Sequence, residues 1–276
     1  MYFTKMHGLG NDYVYVNCFA EYIKEPGKLA KRISDRHFGI GSDGLVLICP
    51  SEKADFRMEI YNADGSRAEM CGNGIRCLAK YVYEHGMTHK TELQIETLAG
   101  IRQVWMDVSD NRVSQVTVDM GYPILQADKI PIISENTRVI QESISIHHTE
   151  YRMTGVSMGN PHAVVFVKHN RRLDIGRIGP EFEYHGRFPK RINVEFVEVM
   201  SRNEICVRVW ERGAGETLAC GTGACASVVA SVLNDLTECQ VTVKLKGGEL
   251  TVLWNADDGK VYMTGPAVTV YEGQII

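Results

Sequence analysis

Two cysteines flanked by glycine are the residues of this sequence best suited to chemistry. Cys71 opens a Cys-Gly-Asn-Gly motif and Cys220 opens a Cys-Gly-Thr-Gly motif. An apolar run follows each motif, so we predict that each cysteine sits one turn before a helix, with Asn73 and Thr222 as capping residues. Unpaired N–H groups and the positive end of the helix dipole gather at such a helix start. They should favour the thiolate form of the cysteine, and the glycine-flanked N–H groups can bind a carboxylate.

Two thiols of this kind suit one reaction, the inversion of a carbon centre. A thiolate would remove a proton from one face of the carbon while a thiol delivers a proton to the opposite face. A positioned acid or base contributes about 10²–10⁴-fold to the rate, and a donor aimed at the growing charge of the carboxylate contributes roughly 3 kcal/mol. The site must also exclude water. We therefore predict a cofactor-independent amino-acid epimerase in which Cys71 and Cys220 face each other across the substrate.

Three motifs recur at one fixed spacing, which indicates a duplicated unit and two pseudo-symmetric halves. The spacing is 149 residues (220 − 71 = 149). The alternative is that the cysteine motif is only a recurring turn, but three motifs at a single spacing argue against chance. The three motifs are Gly10-Asn11 with Gly159-Asn160, the strands at 58–61 and 207–210, and the Cys71 and Cys220 motifs. Asn62 falls opposite Glu211 at the same spacing.

The elements that must position these residues follow from hydrophobic periodicity. In the first half, apolar residues from Ile75 to Val82 have helical spacing, and Gly86 ends the helix. In the second half, residues 224–233 are apolar all round, so we predict a buried, central helix. Strands are predicted at 13–18, 45–49, 57–61, 163–167, 194–199 and 205–210, a further helical stretch at 29–35, turns at 110–111 and 257–259, and a domain boundary near 121–123.

Composition restricts the class of protein. The 276 residues are 44% hydrophobic and 23% charged, as in an ordinary globular protein, and the net charge of −4 gives no basic footprint for nucleic acid. The segment from Met1 to Asn17 contains no charged-then-apolar signal region, and the most apolar stretch, 219–233, is too short to span a bilayer. We therefore predict a cytoplasmic protein with neither a nucleic-acid nor a membrane partner.

Other apparent metal or cofactor motifs are weak. The eight cysteines include no Cys-x-x-Cys pair, which disfavours a zinc site, and a disulfide framework is improbable in a chain of this size. Cys18, Cys49, Cys206 and Cys239 sit in apolar runs, so we predict that they are buried small hydrophobes. The run 39–44 matches the dinucleotide fingerprint, but a strand follows it instead of a helix, which predicts a tight turn. No phosphate loop or pyridoxal lysine is recognisable, and we predict no cofactor and no metal.

Five segments of the chain resemble diaminopimelate epimerases, and the resemblance runs from residue 3 to Tyr271. It implies a pyridoxal-independent interconversion of LL- and meso-diaminopimelate, which feeds lysine and bacterial cell-wall synthesis. It also implies two domains, residues 1–120 with 266–276 and residues 121–265, each a mostly antiparallel β-sheet wrapped around a central helix. Members commonly dimerise through a tyrosine that matches Tyr271, so a homodimer is implied. The segments are 7–12, 61–66, 70–77, 159–162 and 210–223.

The resemblance also implies roles for individual residues. Cys71 and Cys220 would be the acid and base pair, and His162 and Glu211 would adjust the thiols. Some members carry Gln where this chain has Gly44, so that contact would be absent or replaced by backbone or water. The residues expected to contact substrate are Asn11, Asn62, Gly72, Asn73, Asn160, Asn193, Glu211, Arg212, Gly221 and Thr222.

Several alternatives remain open from the residues alone. The asparagines next to glycine or proline could simply cap turns, and Arg212 could pair with Glu211 or Glu216 on the surface. A proline or hydroxyproline racemase would also use paired cysteines, although Arg212 and the asparagines suit a substrate with polar groups at both ends. Two rivals come from other classes: a thiol-redox protein that bridges Cys71 and Cys220, and a binding protein without catalysis.

Overall fold

The computed structural model describes all 276 residues, and the chain divides into two compact units. The first unit comprises Met1–Asp119 and Thr264–Ile276, and the second comprises Met120–Met263. Each unit combines a β-sheet with two α-helices, so the predicted α+β class with two similar halves is confirmed. None of the helices has both the length and the apolar character that crossing a bilayer would need.

Eighteen strands and four α-helices form the two units, together with a single turn of 3₁₀ helix at Asn170–Arg172. The earlier elements are β1 (Tyr2–Gly8), β2 (Asn11–Asn17), α1 (Pro26–Ile33), β3 (Gly44–Cys49), β4 (Phe56–Asn62), β5 (Arg67–Ala68), α2 (Gly72–Glu84), β6 (Glu92–Thr97), β7 (Gly100–Ser109) and β8 (Arg112–Gly121). The later elements are β9 (Glu142–Ile146), β10 (Thr149–Ser157), β11 (Pro161–Phe166), α3 (Ile175–Glu183), β12 (Asn193–Ser201), β13 (Glu204–Glu211), β14 (Gly215–Thr217), α4 (Gly221–Leu233), β15 (Gln240–Leu245), β16 (Gly248–Trp254), β17 (Val261–Gly265) and β18 (Val268–Gln274).

The sheet of the first unit is mostly antiparallel, with two parallel pairs. β1 lies antiparallel to both β2 and β18, β2 runs parallel to β3, and β3 lies antiparallel to β4. β4 then runs parallel to β6, and β6, β7 and β8 continue in antiparallel order. α2 packs against β1, β2 and β7, so it is the central helix of this unit.

The second unit repeats the same order of pairings. β10 lies antiparallel to β9 and β11, β11 runs parallel to β12, β12 lies antiparallel to β13, and β13 runs parallel to β15. α2 and α4 each have 13 residues and begin 149 positions apart (221 − 72 = 149). The parallel pairing of Tyr13 with Gly44 recurs as that of His162 with Asn193, at the same offset. The predicted internal repeat is therefore confirmed.

The two central helices lie where hydrophobic spacing predicted them. In α2 the apolar residues from Ile75 to Val82 are buried, and the helix ends two residues before Gly86. Gly86 has a φ of +66°, which an L-residue adopts only with strain, so the glycine allows the chain to leave the helix there. α4 is buried nearly all round because strands β10 to β13, β15 and β16 pack against it.

The cysteines predicted to be buried small hydrophobes differ in their exposure. Cys49 is buried, Cys18 and Cys206 are half-buried, and Cys239 is exposed. The prediction is wrong for Cys239 because that residue lies in the bend before β15, outside the core. The segment 39–44 leads through bends into β3 and begins no helix, so a strand follows it as predicted.

Gly44 begins β3 where two stretches of backbone approach each other closely. A Cβ atom at this position would lie 2.1 Å from the carbonyl oxygen of Tyr61 and 2.9 Å from the ring of Tyr13. Both distances are too short for non-bonded atoms, so no side chain fits here with this backbone. Position 44 therefore makes no side-chain contact, as the resemblance implied for this glycine.

We predict that Gly44→Ala lowers the free energy of unfolding by about 1–3 kcal/mol, because the added methyl group forces β3 away from its neighbours. Urea unfolding followed by circular dichroism measures the change. Gly186→Ala is the matched control, since a Cβ at Gly186 meets no atom within 4 Å. An unfolding midpoint for Gly44→Ala equal to that of the unaltered chain would contradict the prediction.

Candidate active site

Each glycine-flanked cysteine is itself the N-cap residue of a helix. Cys71 precedes α2 and Cys220 precedes α4, both with an extended backbone. The sulfur of Cys71 accepts the N–H of Gly74 at 3.3 Å, and the sulfur of Cys220 accepts the N–H of Gly223 at 3.4 Å. Each thiol thus occupies the position from which a serine or aspartate side chain would satisfy an unpaired helix N–H.

The prediction that Asn73 and Thr222 cap these helices is wrong. Both lie inside the first turn, at the second helical position. The prediction rested on the strong capping preference of Asn and Thr, whereas the cysteine directly before each helix has the backbone of a cap. The Thr222 hydroxyl lies 3.4 Å from the Cys220 sulfur, and the Asn73 amide donates to Asn11 at 3.3 Å.

Asn11 connects the Cys71 thiol to the turn between β1 and β2. The thiol donates to Asn11 Oδ1 at 3.3 Å, and Asn11 Nδ2 donates to Asp43 Oδ2 at 2.8 Å. Gly10 has a φ of +85° and Gly159 a φ of +101°, a backbone region that glycine adopts without strain. The repeated Gly-Asn motif therefore turns the chain and presents an asparagine at the start of β2 or directly before β11.

Arg76 is a fully buried cation on α2 that the sequence analysis did not single out. Its guanidinium donates to Asn73 Oδ1 at 2.9 Å, to the carbonyl of Gly72 at 3.2 Å and to the carbonyl of Pro266 at 3.3 Å. The same positive charge lowers the pKa of Cys71. Arg76 therefore fixes the side chain of Asn73 and adds a favourable charge behind the thiol.

Burial nevertheless raises the pKa of the Cys71 thiol above its ordinary value. Hydrogen bonds from the N–H of Gly74 and from the Tyr13 hydroxyl lower the pKa of this thiol, but loss of solvation outweighs them. The predicted stabilisation of the thiolate by the helix start is thus correct in sign. The predicted net effect, a favoured thiolate, is wrong because solvent exclusion is the larger effect.

Cys220 has carboxylates where Cys71 has a cation. Burial raises the pKa of the Cys220 thiol well above its ordinary value, and Glu211 and Glu195 raise it further. Glu211 shares a hydrogen bond with the Cys220 thiol and accepts one from the Thr217 hydroxyl at 2.5 Å. Burial also raises the pKa of Glu211. The two thiols therefore have the same backbone position and different electrostatic surroundings.

A fully buried pair, His162 and Glu195, supports this second thiol site. His162 Nδ1 lies 2.7 Å from Glu195 Oε1, and His162 Nε2 lies 2.9 Å from Asn160 Oδ1. Glu195 Oε2 is buried and has no hydrogen-bond partner. A Cβ at Gly223 would lie 2.6 Å from Glu195 Oε1, so the last glycine of the Cys220 motif leaves room for this carboxylate.

Glu195 is the residue at this site that the sequence analysis missed, because it lies in the apolar run of β12. The internal repeat nevertheless contains a signal that identifies Glu195. Position 195 corresponds to Val46 (195 − 149 = 46), and His162 corresponds to Tyr13 (162 − 149 = 13). A carboxylate that replaces a valine in a buried strand, on the strand beside a histidine, indicates a buried pair.

Every predicted substrate asparagine has its side chain engaged within the protein, Asn193 and Asn62 among them. Asn193 Nδ2 donates to the carbonyl of Pro161 at 2.9 Å, and its Oδ1 accepts the N–H of Arg212 at 2.9 Å. Asn62 Nδ2 donates to the Ser66 hydroxyl at 3.0 Å within the turn between β4 and β5. Asn62 thus takes part in a turn, and Asn193 fixes the backbone of Arg212.

The Arg212 guanidinium has no carboxylate partner. Its Nη1 donates to the carbonyl of Lys190 at 2.9 Å, and the side chain is exposed. Glu216 instead pairs with Arg208 at 2.7 Å and with Lys246 at 2.8 Å. The alternative in which Arg212 pairs with Glu211 or Glu216 is therefore wrong, and a cation remains available to an anionic ligand.

A metal or cofactor site would need a cluster of suitable side chains or an available lysine. No group of three or more His, Cys, Asp or Glu side chains is placed to hold a metal ion. Lys5 is a buried lysine, and its ammonium group pairs with Asp12 at 2.5 Å and donates to the carbonyl of Gly41. This ammonium group is thus engaged in an internal ion pair.

Comparison with known proteins places the chain in a family. The family model of diaminopimelate epimerase matches residues 3–125 and 154–270. The chain belongs to the diaminopimelate epimerase family. It is 58% identical over 275 residues to the diaminopimelate epimerase of Acetivibrio thermocellus, covering 100% of this chain and 98% of the relative. It is 56% identical over 275 residues to that of Methanococcus maripaludis strain S2, covering 100% and 99%.

Solved structures outside the diaminopimelate epimerase family share the fold. A hydroxyproline epimerase from Agrobacterium vitis matches with a TM-score of 0.68 and 16% identity, covering 100% of this chain and 90% of that one. A PhzF-family phenazine biosynthesis protein from Bacillus anthracis matches with a TM-score of 0.69 and 17% identity, covering 100% and 99%. At these identities the likeness shows a common fold alone.

We predict that Glu195→Gln moves the ionisation of Cys220 to lower pH. The amide keeps a hydrogen-bonding group beside His162 but removes a buried negative charge that opposes the thiolate. The rate of alkylation by iodoacetamide across a pH series, followed at the Cys220 peptide by mass spectrometry, reports this ionisation. Glu216→Gln is the control, because Glu216 pairs with Arg208 and Lys246. An unchanged or upward-shifted profile for Glu195→Gln would show that Glu195 does not act on this thiol.

Proposed function

We propose that the chain interconverts LL- and meso-diaminopimelate without pyridoxal phosphate, in the synthesis of lysine and cell-wall precursors. The observation that carries the proposal is the pair of thiols that cap equivalent helices of the internal repeat, each with its sulfur on a helix N–H. Relatives named diaminopimelate epimerase at 50–58% identity over the full length support the choice of substrate.

In the proposed mechanism, Cys71 and Cys220 act on one α-carbon from opposite faces. The thiolate of one cysteine takes the α-proton, and the electron pair of the broken C–H bond spreads into the adjacent carboxylate. The thiol of the other cysteine then donates its proton to the opposite face, and the roles exchange in the reverse direction. Burial supports these roles, because a thiol of raised pKa is a stronger base once it is ionised.

The two helix starts are suited to the carboxylate that accumulates charge. Main-chain hydrogen bonding of α2 begins only with the N–H of Ile75, which donates to Cys71, and that of α4 with Ala224, which donates to Cys220. The N–H groups before these points are not used in the helical ladder and are oriented toward an anion. Those of Gly74 and Gly223 donate to the cysteine sulfurs, and the others belong to Gly72 and Asn73 in α2 and to Gly221 and Thr222 in α4.

The non-reacting end of the substrate is assigned to the polar residues around Arg212. The unpaired guanidinium of Arg212 suits a carboxylate, which it can bind through two parallel hydrogen bonds. Asn160 offers its amide N–H₂, since its Oδ1 lies against His162. Asn193 contributes by holding the backbone of Arg212. The remaining proposed contacts are Asn11, Asn62 and Glu211.

We predict that Cys71→Ala and Cys220→Ala each lower kcat/KM for epimerisation by at least about 10²–10⁴-fold, because each removes the only acid or base on one face. The assay incubates LL-diaminopimelate in heavy water and follows the meso isomer and α-deuterium together. The unaltered enzyme should place deuterium in every product molecule.

The control for this assay is Cys239→Ala, which removes an exposed thiol outside both helix starts and should keep full activity. Persisting epimerisation in Cys71→Ala would contradict the two-thiol mechanism. Turnover of proline in place of diaminopimelate would overturn the proposed substrate, and tight binding without isotope exchange would favour a binding protein.

We also propose that the chain works in the cytoplasm as a homodimer that forms through β18. This strand exposes Val268, Val270 and Tyr271 at 41%, 52% and 44% of their surfaces, and the Tyr271 ring packs edge-on against Phe3 at 6.0 Å. A row of exposed apolar side chains on a strand gains free energy when a second copy covers it.

Tyr271→Asp should shift the protein from dimer to monomer at micromolar concentration, because the variant would bury a carboxylate in the apolar contact. Size-exclusion chromatography with light scattering gives the mass directly. Tyr184→Asp, at a tyrosine that is 63% exposed in the second unit, is the control and should leave the mass unchanged. A monomeric mass for the unaltered protein would refute the proposed dimer.

A further inference from the structure

Two cysteines outside the proposed active site, Cys18 and Cys49, lie side by side on neighbouring strands. β2 and β3 are parallel, and their last paired residues are Asn17 and Ile48. The N–H of Cys18 donates to the carbonyl of Ile48 at 2.9 Å, which continues the ladder by one step. Cys18 and Cys49 are therefore the next neighbours in this register.

Both side chains point to the same face of the sheet. Side chains alternate along a strand, and Cys18 belongs to the same apolar cluster as Val14 and Val16, while Cys49 belongs to it with Leu45 and Leu47. This cluster also contains Ala30 and Ile33 of α1. The face is thus the one that α1 covers.

The opposite face of β2 carries the contacts to α2 and to Cys71. The Tyr15 hydroxyl donates to the carbonyl of Gly74 at 3.1 Å, and the Tyr13 hydroxyl hydrogen-bonds to the Cys71 thiol. The sheet therefore separates the cluster of Cys18 and Cys49 from the Cys71 thiol.

The spacing of parallel strands matches the requirement of a disulfide. Neighbouring strands lie about 4.7–4.9 Å apart, and disulfide-linked residues have Cα atoms about 4.4–6.8 Å apart. The two thiols already share a hydrogen bond. A bond between Cys18 and Cys49 thus needs side-chain rotation and no shift of the strands.

The two thiols differ in their readiness to ionise. The hydrogen bond from Cys18, with help from the Arg57 guanidinium, lowers the pKa of the Cys49 thiol, although burial and Glu59 oppose this effect. Arg57 faces Cys49 across β3 and β4, and its Nε lies 3.3 Å from Glu59 Oε1. The same hydrogen bond and burial raise the pKa of Cys18. Because the strand that pairs with Cys49 carries the Arg57 guanidinium opposite it, we assign Cys49 as the thiolate of the first step and Cys18 as the thiol of the second.

We propose that Cys18 and Cys49 form a dithiol site that hydrogen peroxide oxidises reversibly to a disulfide, independently of the epimerisation chemistry. In the first step, the Cys49 thiolate attacks the peroxide. An S–O bond forms, the O–O bond breaks, and the departing hydroxide takes a proton from solvent to give water. In the second step, the Cys18 sulfur attacks the Cys49 sulfenic acid. The S–S bond forms, the S–O bond breaks, and hydroxide leaves with the Cys18 proton as a second water.

Oxidation would join two strands of the first unit and close the loop that contains α1. A cross-link that restricts the unfolded chain stabilises the folded state when the native geometry accepts it. We therefore expect the oxidised protein to have a higher Tm than the reduced protein. The proposed epimerase activity should be retained once the catalytic thiols are reduced. Cys18 directly follows the end of β2 opposite to Asn11 and Tyr13, and Cys49 is the last residue of the neighbouring β3.

The test treats the full-length, reduced protein with hydrogen peroxide and maps its cysteines by peptide mass spectrometry. The expected result is a linked pair of peptides that contain Cys18 and Cys49, lighter by two hydrogens, which dithiothreitol separates again. Both residues should lose all reactivity toward an alkylating reagent under native and unfolded conditions. Cys206 is the matched control, because it is also half-buried and its strand neighbours are Glu198 and Lys244.

Two variants test the order of the two oxidation steps. In Cys18→Ala, the Cys49 sulfenic acid should persist and react with dimedone; in Cys49→Ala, Cys18 should stay unmodified. The rise in Tm on oxidation should vanish in both. Recovery of Cys18 and Cys49 as free thiols after Cys206 has been oxidised would overturn the proposal, as would a linkage of either one to another cysteine. Failure of the epimerase assay would leave this mapping result unaffected, so the two proposals fail separately.

Discussion

The interaction on which the site depends is the hydrogen bond between a cysteine sulfur and the N–H of the third helical residue. This bond fixes each thiol at the start of a central helix. The cysteine itself has an extended backbone, and the N–H that donates to its sulfur belongs to a glycine. Because both helices are buried in their sheets, their starts cannot move without disturbing the core. The thiols therefore owe their positions to the packing of α2 and α4, and the surrounding polar residues add the chemistry.

The two halves of the internal repeat place different charges beside their thiols. Behind Cys71 lies the buried Arg76, whereas behind Cys220 lie Glu195 and Glu211. The internal repeat accounts for the equal backbone positions, and the different charged side chains around each thiol account for the different causes that shift its pKa. Burial raises the pKa of both thiols, and only at Cys220 do neighbouring carboxylates add to that effect.

Much of the fold could be predicted because its signals are local or periodic. The spacing of Ile75 to Val82, the apolar run of α4 and the constant offset between the repeated motifs each depend on the chain itself, and the structure agrees with them. The direction of the thiol pKa shift could not be predicted, since desolvation depends on residues distant in sequence. Glu195 was missed for the same reason, because its partner His162 lies on the neighbouring strand and is distant in sequence. Within β12 no nearby residue indicates why a carboxylate is placed in an apolar run.

The pairing of β1 with β18 has a consequence for synthesis on the ribosome. β1 emerges long before β18 and can complete its pairing only when β18 is made, because β18 lies antiparallel to β1 from Tyr2 to His7. Residues 120–263, in contrast, form a unit that is continuous in the chain. The middle of the nascent polypeptide can thus reach its final form while the leading segment still presents an unpaired strand edge, the state in which a growing chain is most prone to associate with others or to recruit a chaperone.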